Sequence, residues 1–369
     1  MKWVKPDYNN SIVSLIHSIE NYFGVENHQN TLNEVDNLLN TENKKNVIVV
    51  LYDGLGYNLL KENIDLCPNL NKHLINKISS VFPPTTTAAT TSVMSGLEPV
   101  THGWLGWDMY FKDFDKTITL FLNEEKDTKA PIPNFPGTWE LLPYKTVTDK
   151  ISELPNCLGT VVSPFAKCSY PSYDLKAMNE KVLEICSNDK KNFIYAYFEN
   201  PDSTLHEFGT DSKEAKEWLK KIDESFKNLV DGLSDSIIFA IADHGHTNVE
   251  TITLSNHPEV FNMLDGNVGI DGRATSFRVK KEFITIFPEK IKEVLGDDFL
   301  LLNHDEVISQ KWFGETEENK FFRDGIGDFL AIGIGNKSIR YDERGHEFAS
   351  THAGITEDEV YVPLVMVKK

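Results

Sequence analysis

Six side chains stand where they could do chemistry: Asp53, Asp202, His206, Asp243, His244 and His352. Asp202 and His206 have i, i+4 spacing, which on a helix stacks them on one face. A carboxylate and an imidazole so placed have the geometry of a divalent-metal site; the plain alternative is a capping carboxylate and a surface histidine. Asp53 closes an apolar run and is followed by Gly54, so it is either a ligand or the cap of the next helix. Asp243-His244-Gly245-His246 closes another run and sets two candidate ligands side by side, with His246 as a partner that would orient one of them. His352 lies in a polar turn and carries little weight alone. Thr85-Thr86-Thr87 follow Pro83-Pro84 and open a helical stretch. Hydroxyls beside the free N–H groups of a helix start suit a phosphate, and one becomes a nucleophile if a metal lowers its pKa. The plain alternative is a Thr-rich cap. Three Asp and three His supply mixed nitrogen and oxygen donors for two metal ions, which suits zinc first. Two ions a few ångströms apart can clamp both oxygens of a phosphoryl transfer.

The elements that must hold these residues follow from apolar patterning. Residues 46–52, 193–198 and 235–242 are short, nearly continuous apolar runs, as inner strands covered on both faces should be. Each ends at a candidate ligand or just before one. Asn200 is a good N-cap and Pro201 suits the first position of a helix carrying Asp202 and His206. Helices are expected over 9–24, 174–186, 212–233 and 288–295, and further strands over 78–82, 158–162, 273–279, 283–287, 329–334 and 360–367. Residues 26–45 read as loop with some helix, and 112–157 as an excursion from the sheet. The expected fold is α/β: one domain over 1–369, with a mostly parallel central sheet, helices on both faces, and a small cap or insert at 249–345. In such sheets the strand tips converge on one edge, where ligands bind. Trp104, Trp107 and Tyr110 are either a pocket wall or core.

The chain has 369 residues and a formal net charge of −19. That balance argues against nucleic-acid backbones and anionic membranes as primary partners, yet leaves room for a small anionic substrate if metal ions reverse the local sign. Cys67, Cys157, Cys168 and Cys186 form neither a CxxC pair nor a disulfide framework. The first residues lack the apolar stretch of a signal peptide, and no apolar run approaches the ~20 residues needed to span a bilayer. A cytoplasmic location is expected.

Taken together, the motifs resemble the alkaline phosphatase superfamily, and within it the type I phosphodiesterase and nucleotide pyrophosphatase family. The resemblance rests on Tyr52-Asp53-Gly54, on Phe82-Pro83-Pro84-Thr85-Thr86-Thr87 with Ser95-Gly96-Leu97-Glu98-Pro99 and His102-Gly103, on Pro201-Asp202-Ser203-Thr204-Leu205-His206, on Asp243-His244-Gly245 and on His352-Ala353-Gly354. It implies an alkaline-phosphatase-like fold and a metal-dependent phosphoester hydrolase. Asp53, Asp243, His244 and the nucleophile would hold one ion, and Asp202, His206 and His352 the other. The ions would be Zn2+, with Mn2+ or Fe as alternatives. Counting back from Gly96-Leu97-Glu98-Pro99 maps the nucleophile to Thr86, with Thr85 and Thr87 as neighbours in register. The substrate would be a small phosphorylated molecule, nucleotides included. One departure stands out: the family's phosphate-holding Asn after the His-Gly block maps to Trp107. The Cys/Ser-x-Pro-x-Arg setting of sulfatases is absent. A phosphomonoesterase, a phosphosugar mutase, and a non-catalytic nucleotide- or phosphosugar-binding protein are the competing readings.

Overall fold

In the computed structural model, which describes residues 2–27, 29–165 and 168–369, the run Asn46–Tyr52 is a strand with every residue buried. It pairs in parallel with Lys191–Phe198 on one side and Ser236–Ile241 on the other. Side chains of this strand meet apolar neighbours on both faces, which is why the run alternates so little. The sheet has seven strands, in spatial order Leu74–Ser79, Tyr361–Lys368, Ser236–Ile241, Asn46–Tyr52, Lys191–Phe198, Cys157–Ser163 and Tyr170–Pro171. The expected mostly parallel sheet is therefore a mixed one. Tyr361–Lys368 runs antiparallel to both of its neighbours.

A second seven-stranded sheet is antiparallel throughout. It joins Asp108–Phe111, Lys116–Thr119 and Glu124–Glu125 to Gly269–Ile270, Ala274–Phe277, Phe299–Asn303 and Phe329–Gly333. The excursion after residue 112 and the stretch at 249–345 thus share one sheet. The strand expected at 283–287 does not form: Lys281–Phe283 is a short 3-10 turn, and Phe287–Leu295 is helix with Pro288 in its first turn. The strand expected at 78–82 sits earlier, at Leu74–Ser79.

Helices cover the main sheet through faces that the sequence spacing announces. Ile12–Phe23 starts on Ser11, whose hydroxyl accepts from the Ser14 N–H, and stops at Gly24 in the left-handed region. Lys213–Gly232 starts on Ser212 and buries Ala215, Leu219, Ile222, Phe226 and Leu229 along one stripe. Leu219, Ile222, Phe226 and Leu229 each contribute about 1.5–3 kcal/mol on burial. Residues 33–42, read as mostly loop, are helix Asn33–Glu42. All four cysteines are free. Among the described residues no helix is long and apolar enough to cross a membrane.

Candidate metal centre and its cavity

Strand register places the candidate ligands. Tyr52 pairs with Phe198 and Leu51 with Ile241, so the three central strands end level. Asp53 leaves its strand with its N–H donating to the Phe198 carbonyl at 3.0 Å, and the Asp202 N–H donates to the Asp53 carbonyl at 3.0 Å. Gly54 permits this approach: its φ is +73°, and a Cβ there would lie 2.9 Å from the Asp202 Cα. Helix Asp202–Phe208 is preceded by Pro201, which already has near-helical dihedrals. Asn200, the expected cap, instead accepts from the Ser203 and Thr204 hydroxyls at 3.0 and 2.8 Å. A short antiparallel pair, Thr247–Asn248 with Ser350–Thr351, brings His246 and His352 to the same edge.

The side chains gather into two donor sets. In the first, Thr86 Oγ1 lies 3.1 Å from His244 Nε2 and 3.4–3.5 Å from the Asp53 oxygens. His244 Nε2 lies 3.3 Å from Asp53 Oδ1 and 3.4 Å from Asp243 Oδ2. A tetrahedral ion with bonds of ~2.0 Å has ligand–ligand edges of about 3.3 Å, the spacing of these donors. Asp243 Oδ1 accepts from the Gly54 N–H at 3.1 Å and from its neighbour His244 N–H at 3.0 Å. Asp243 Oδ2 is buried with no hydrogen-bond partner. An orphaned buried carboxylate oxygen is costly unless a cation meets it.

In the second set, Asp202 Oδ1 faces His206 Nε2 at 3.4 Å, His352 Nε2 at 3.6 Å and His246 Nε2 at 2.7 Å. The ligating atoms of these four residues lie within 4.8 Å of one another. His206 Nδ1 is 2.9 Å from the Ser350 carbonyl, and His244 Nδ1 is 3.2 Å from that of Gly245. Carbonyls only accept, so both Nδ1 atoms carry the hydrogen and both Nε2 lone pairs face the donor sets. Both sets fit divalent cations.

Their electrostatics agree. Burial, then the charges of Asp243 and Asp202, raises the Asp53 carboxyl well above its ordinary range. Burial and Asp202 push Asp243 up to about 7. Burial pushes on Asp202 in the same direction, but His206, His246 and His352 hold it below the usual carboxylate range. Burial lowers His244 to about 3 and holds His352 well below its ordinary value. The His244 and His352 rings are thus held in the neutral state that binds metal, while Asp53 and Asp243 lack a counter-charge.

Of the three threonines, Thr86 is the one whose hydroxyl faces these sets. It opens helix Thr86–Ser95, with Thr85 as cap residue. Thr85 donates its hydroxyl hydrogen to Asp271 Oδ2 at 2.8 Å, and Thr87 is fully buried. A cavity of about 730 Å3 opens onto Thr86, Asp202, His206 and His352, with Trp107 and Tyr341 among its lining. Trp107, where a side-chain donor was expected, is 43% exposed. Trp104 is core: it is fully buried, and its indole N–H donates to the Leu142 carbonyl at 2.9 Å. His102 is a strut, bonded to the Ser92 hydroxyl at 3.0 Å and accepting from the Trp104 N–H at 3.0 Å.

Asp271 escaped the sequence reading. It lines the cavity, and burial pushes it up to about 6. Its signal was an Asp-Gly pair at the edge of a strand, the pattern already seen at Asp53-Gly54.

A mixed α/β sheet whose strand ends hold two neighbouring nitrogen–oxygen donor sets belongs with the metal-centred α/β proteins. Within that class, the sequence profile of the Type I phosphodiesterase / nucleotide pyrophosphatase family matches residues 47–352, and the chain belongs to this family. It is 25% identical over 272 residues to a venom phosphodiesterase of Macrovipera lebetinus, covering 66% of this chain and 31% of that one. It is 24% identical over 280 residues to ectonucleotide pyrophosphatase/phosphodiesterase family member 3 of Bos taurus, covering 71% and 30%. The matches thus span about a third of these curated relatives. Murine ectonucleotide pyrophosphatase / phosphodiesterase 5, solved as an inactive variant in complex with AMP, superposes with a TM-score of 0.63 at 18% identity, covering 86% of this chain and 87% of that one.

Proposed function

We propose that this chain is a metal-dependent phosphoester hydrolase of the phosphodiesterase or nucleotide pyrophosphatase type, with Thr86 as nucleophile. The observation that carries this reading is the Thr86 hydroxyl, set at a helix start, within 3.5 Å of Asp53 and His244 and open to the cavity. Asp53, Asp243, His244 and Thr86 would hold one divalent cation, and Asp202, His206 and His352 the other; zinc suits such donors first. When bound, the ions would supply Lewis acidity toward the phosphoryl oxygens and lower the pKa of the attacking hydroxyl. Thr86 Oγ attacks phosphorus in line, the bond to the leaving oxygen breaks, and a phosphothreonine results. Water then attacks that phosphorus and returns Thr86. The N–H groups opening helix Thr86–Ser95 face the developing charge on the phosphoryl oxygens.

A nucleotide substrate is supported by the AMP bound to the murine relative and by the aromatic Trp107 and Tyr341 in this cavity. A cytoplasmic location belongs to the same proposal and is supported by the free cysteines.

The test is hydrolysis of bis-p-nitrophenyl phosphate against p-nitrophenyl phosphate on zinc-loaded protein, with and without a chelator. Chelator-sensitive diester cleavage well above monoester cleavage is expected. Monoester preference would move the chain toward the phosphatases, and metal binding without turnover toward a mutase or a binding role. Thr86→Ala should abolish turnover and leave metal content near normal; full activity in that variant would sink the nucleophile assignment.

A further inference from the structure

Ser350 orients two histidines at once. Its backbone carbonyl takes the Nδ1 hydrogen of His206 at 2.9 Å. Its hydroxyl donates to the Leu205 carbonyl at 2.6 Å, which uses the only hydrogen it has. Toward His246 Nδ1, 3.1 Å away, that hydroxyl can therefore only accept. The Nδ1 of His246 thus carries a hydrogen, and in the neutral ring the lone pair sits on Nε2. That lone pair meets Asp202 Oδ1 at 2.7 Å, so acceptor faces acceptor. His206 and His352 direct their Nε2 atoms at the same oxygen. The His246 side chain is fully buried, so no bulk water relieves the clash. Either a second proton on the ring or a cation shared among these atoms resolves it; with the Nε2 atoms of three rings within 3.6 Å of one oxygen, the cation serves all three at once.

We infer that His246 is a metal ligand, the third imidazole of a site completed by Asp202, His206 and His352. The inference rests on reading that cluster as a metal centre, and it goes beyond the ligand set set out above, in which His246 only orients a neighbour. The separations from Asp202 Oδ1 are uneven, 2.7, 3.4 and 3.6 Å. A regular tetrahedron would space them equally at about 3.3 Å, whereas a site that expands to five ligands has near-right-angle edges of about 2.9 Å beside wider ones. Such an expanded site would keep a position for a substrate oxygen. It would also differ in charge from its neighbour: one carboxylate among three neutral rings leaves a dication with net positive charge, while Asp53 and Asp243 neutralise the other.

Two measurements test this. The first is a crystal structure of the zinc-loaded full chain with anomalous data at the zinc edge. His246 Nε2 should lie ~2.0–2.1 Å from an ion also bound by Asp202. An ion there with His246 beyond bonding distance, donating to Asp202 instead, overturns the inference and leaves the metal centre standing. No ion at saturating zinc overturns both. The second uses His246→Gln, whose amide can still donate to Asp202 but is a poor zinc ligand. Chelator competition should show one of the two zinc equivalents weakened by about 100-fold or more, beyond the effect of losing an orienting partner, with the other unchanged. Affinity within a few-fold of wild type at both sites would overturn the assignment.

Discussion

Asp271 binds its proton more tightly in the folded chain than outside it. Burial raises it from an ordinary 3.8 to about 6, while the Thr85 hydroxyl and the Gly272 N–H pull the other way. Between those values the folded chain keeps a proton that the unfolded chain has lost. Stability therefore falls as pH rises through that window and stays lower above it. Asp271→Asn removes this contribution without removing either bond. The amide oxygen can still accept from the Gly272 N–H, now at 2.7 Å, and the amide nitrogen can donate to Thr85 Oγ1, now at 2.8 Å. With metal content matched, the variant should melt a few degrees above wild type at pH 8 and level with it at pH 4. An equal shift at both pH values would show that charge is not the cause. At the same scale, the threonine row illustrates what residue types alone leave open. Three consecutive hydroxyls fit the motif, and only the folded backbone separates one facing Asp53 and His244 from one bonded to Asp271 and one buried.

The strand ends carry the site, and their tolerance is set by backbone contact. Gly54 occupies the left-handed region, and an added Cβ would meet both the Asp202 backbone and the His246 ring, at 2.9 and 3.1 Å. Gly54→Ala should cost about 1–2 kcal/mol for the dihedral alone, and it should push Asp53 and Asp202 apart. The expected outcome is weakened binding of zinc at both donor sets, read by chelator competition; wild-type affinity would show that the strand ends have slack. The strands leading to these tips were legible in the sequence because each is a short run buried on both faces and closed by a polar residue, as with Val47–Tyr52 before Asp53. The second large sheet was not legible as a sheet. Its strands are two to five residues long and come from stretches far apart in the chain, so no local period announces their pairing. Phe283–Phe287 misled for the opposite reason: Phe-Ile-Thr-Ile-Phe is a short run of aromatic and β-branched residues such as strands favour, but Pro288 favours a helix start. Phe287 and not Ile286 is buried there, and Ile286 is 46% exposed.

The two sheets are tied through one buried ion pair. Arg273 stands just before strand Ala274–Phe277 of the second sheet, and Glu359 just before the last strand of the main sheet. Both side chains are fully buried and meet in a two-pronged contact, Nε to Oε1 at 2.7 Å and NH2 to Oε2 at 2.8 Å. Arg273 also donates to the carbonyls of Gly335 and Lys337, while Glu359 accepts from the Gly354 N–H and from the Thr356 N–H and hydroxyl. Nearly every polar atom of the pair is satisfied, so its value lies in the partner each charge would lose. Arg273→Met leaves a buried carboxylate and should cost about 3–5 kcal/mol. Glu359→Gln leaves a buried guanidinium and should cost a similar amount. Together the substitutions remove both charges, and the amide keeps some of the bonds from Gly354 and Thr356, so the double variant should be more stable than the sum of the single losses. Urea unfolding of the metal-matched proteins measures this coupling. Simple additivity would show that the pair acts as two separate groups. A large coupling would show that the sheets are locked by a contact two residues from His352, since the Gly354 N–H reaches Glu359 at 2.7 Å. In that case Arg273→Met should also weaken zinc binding at the histidine-rich set more than at the set around Asp53, because the turn carrying His352 is the part of the site anchored to this pair.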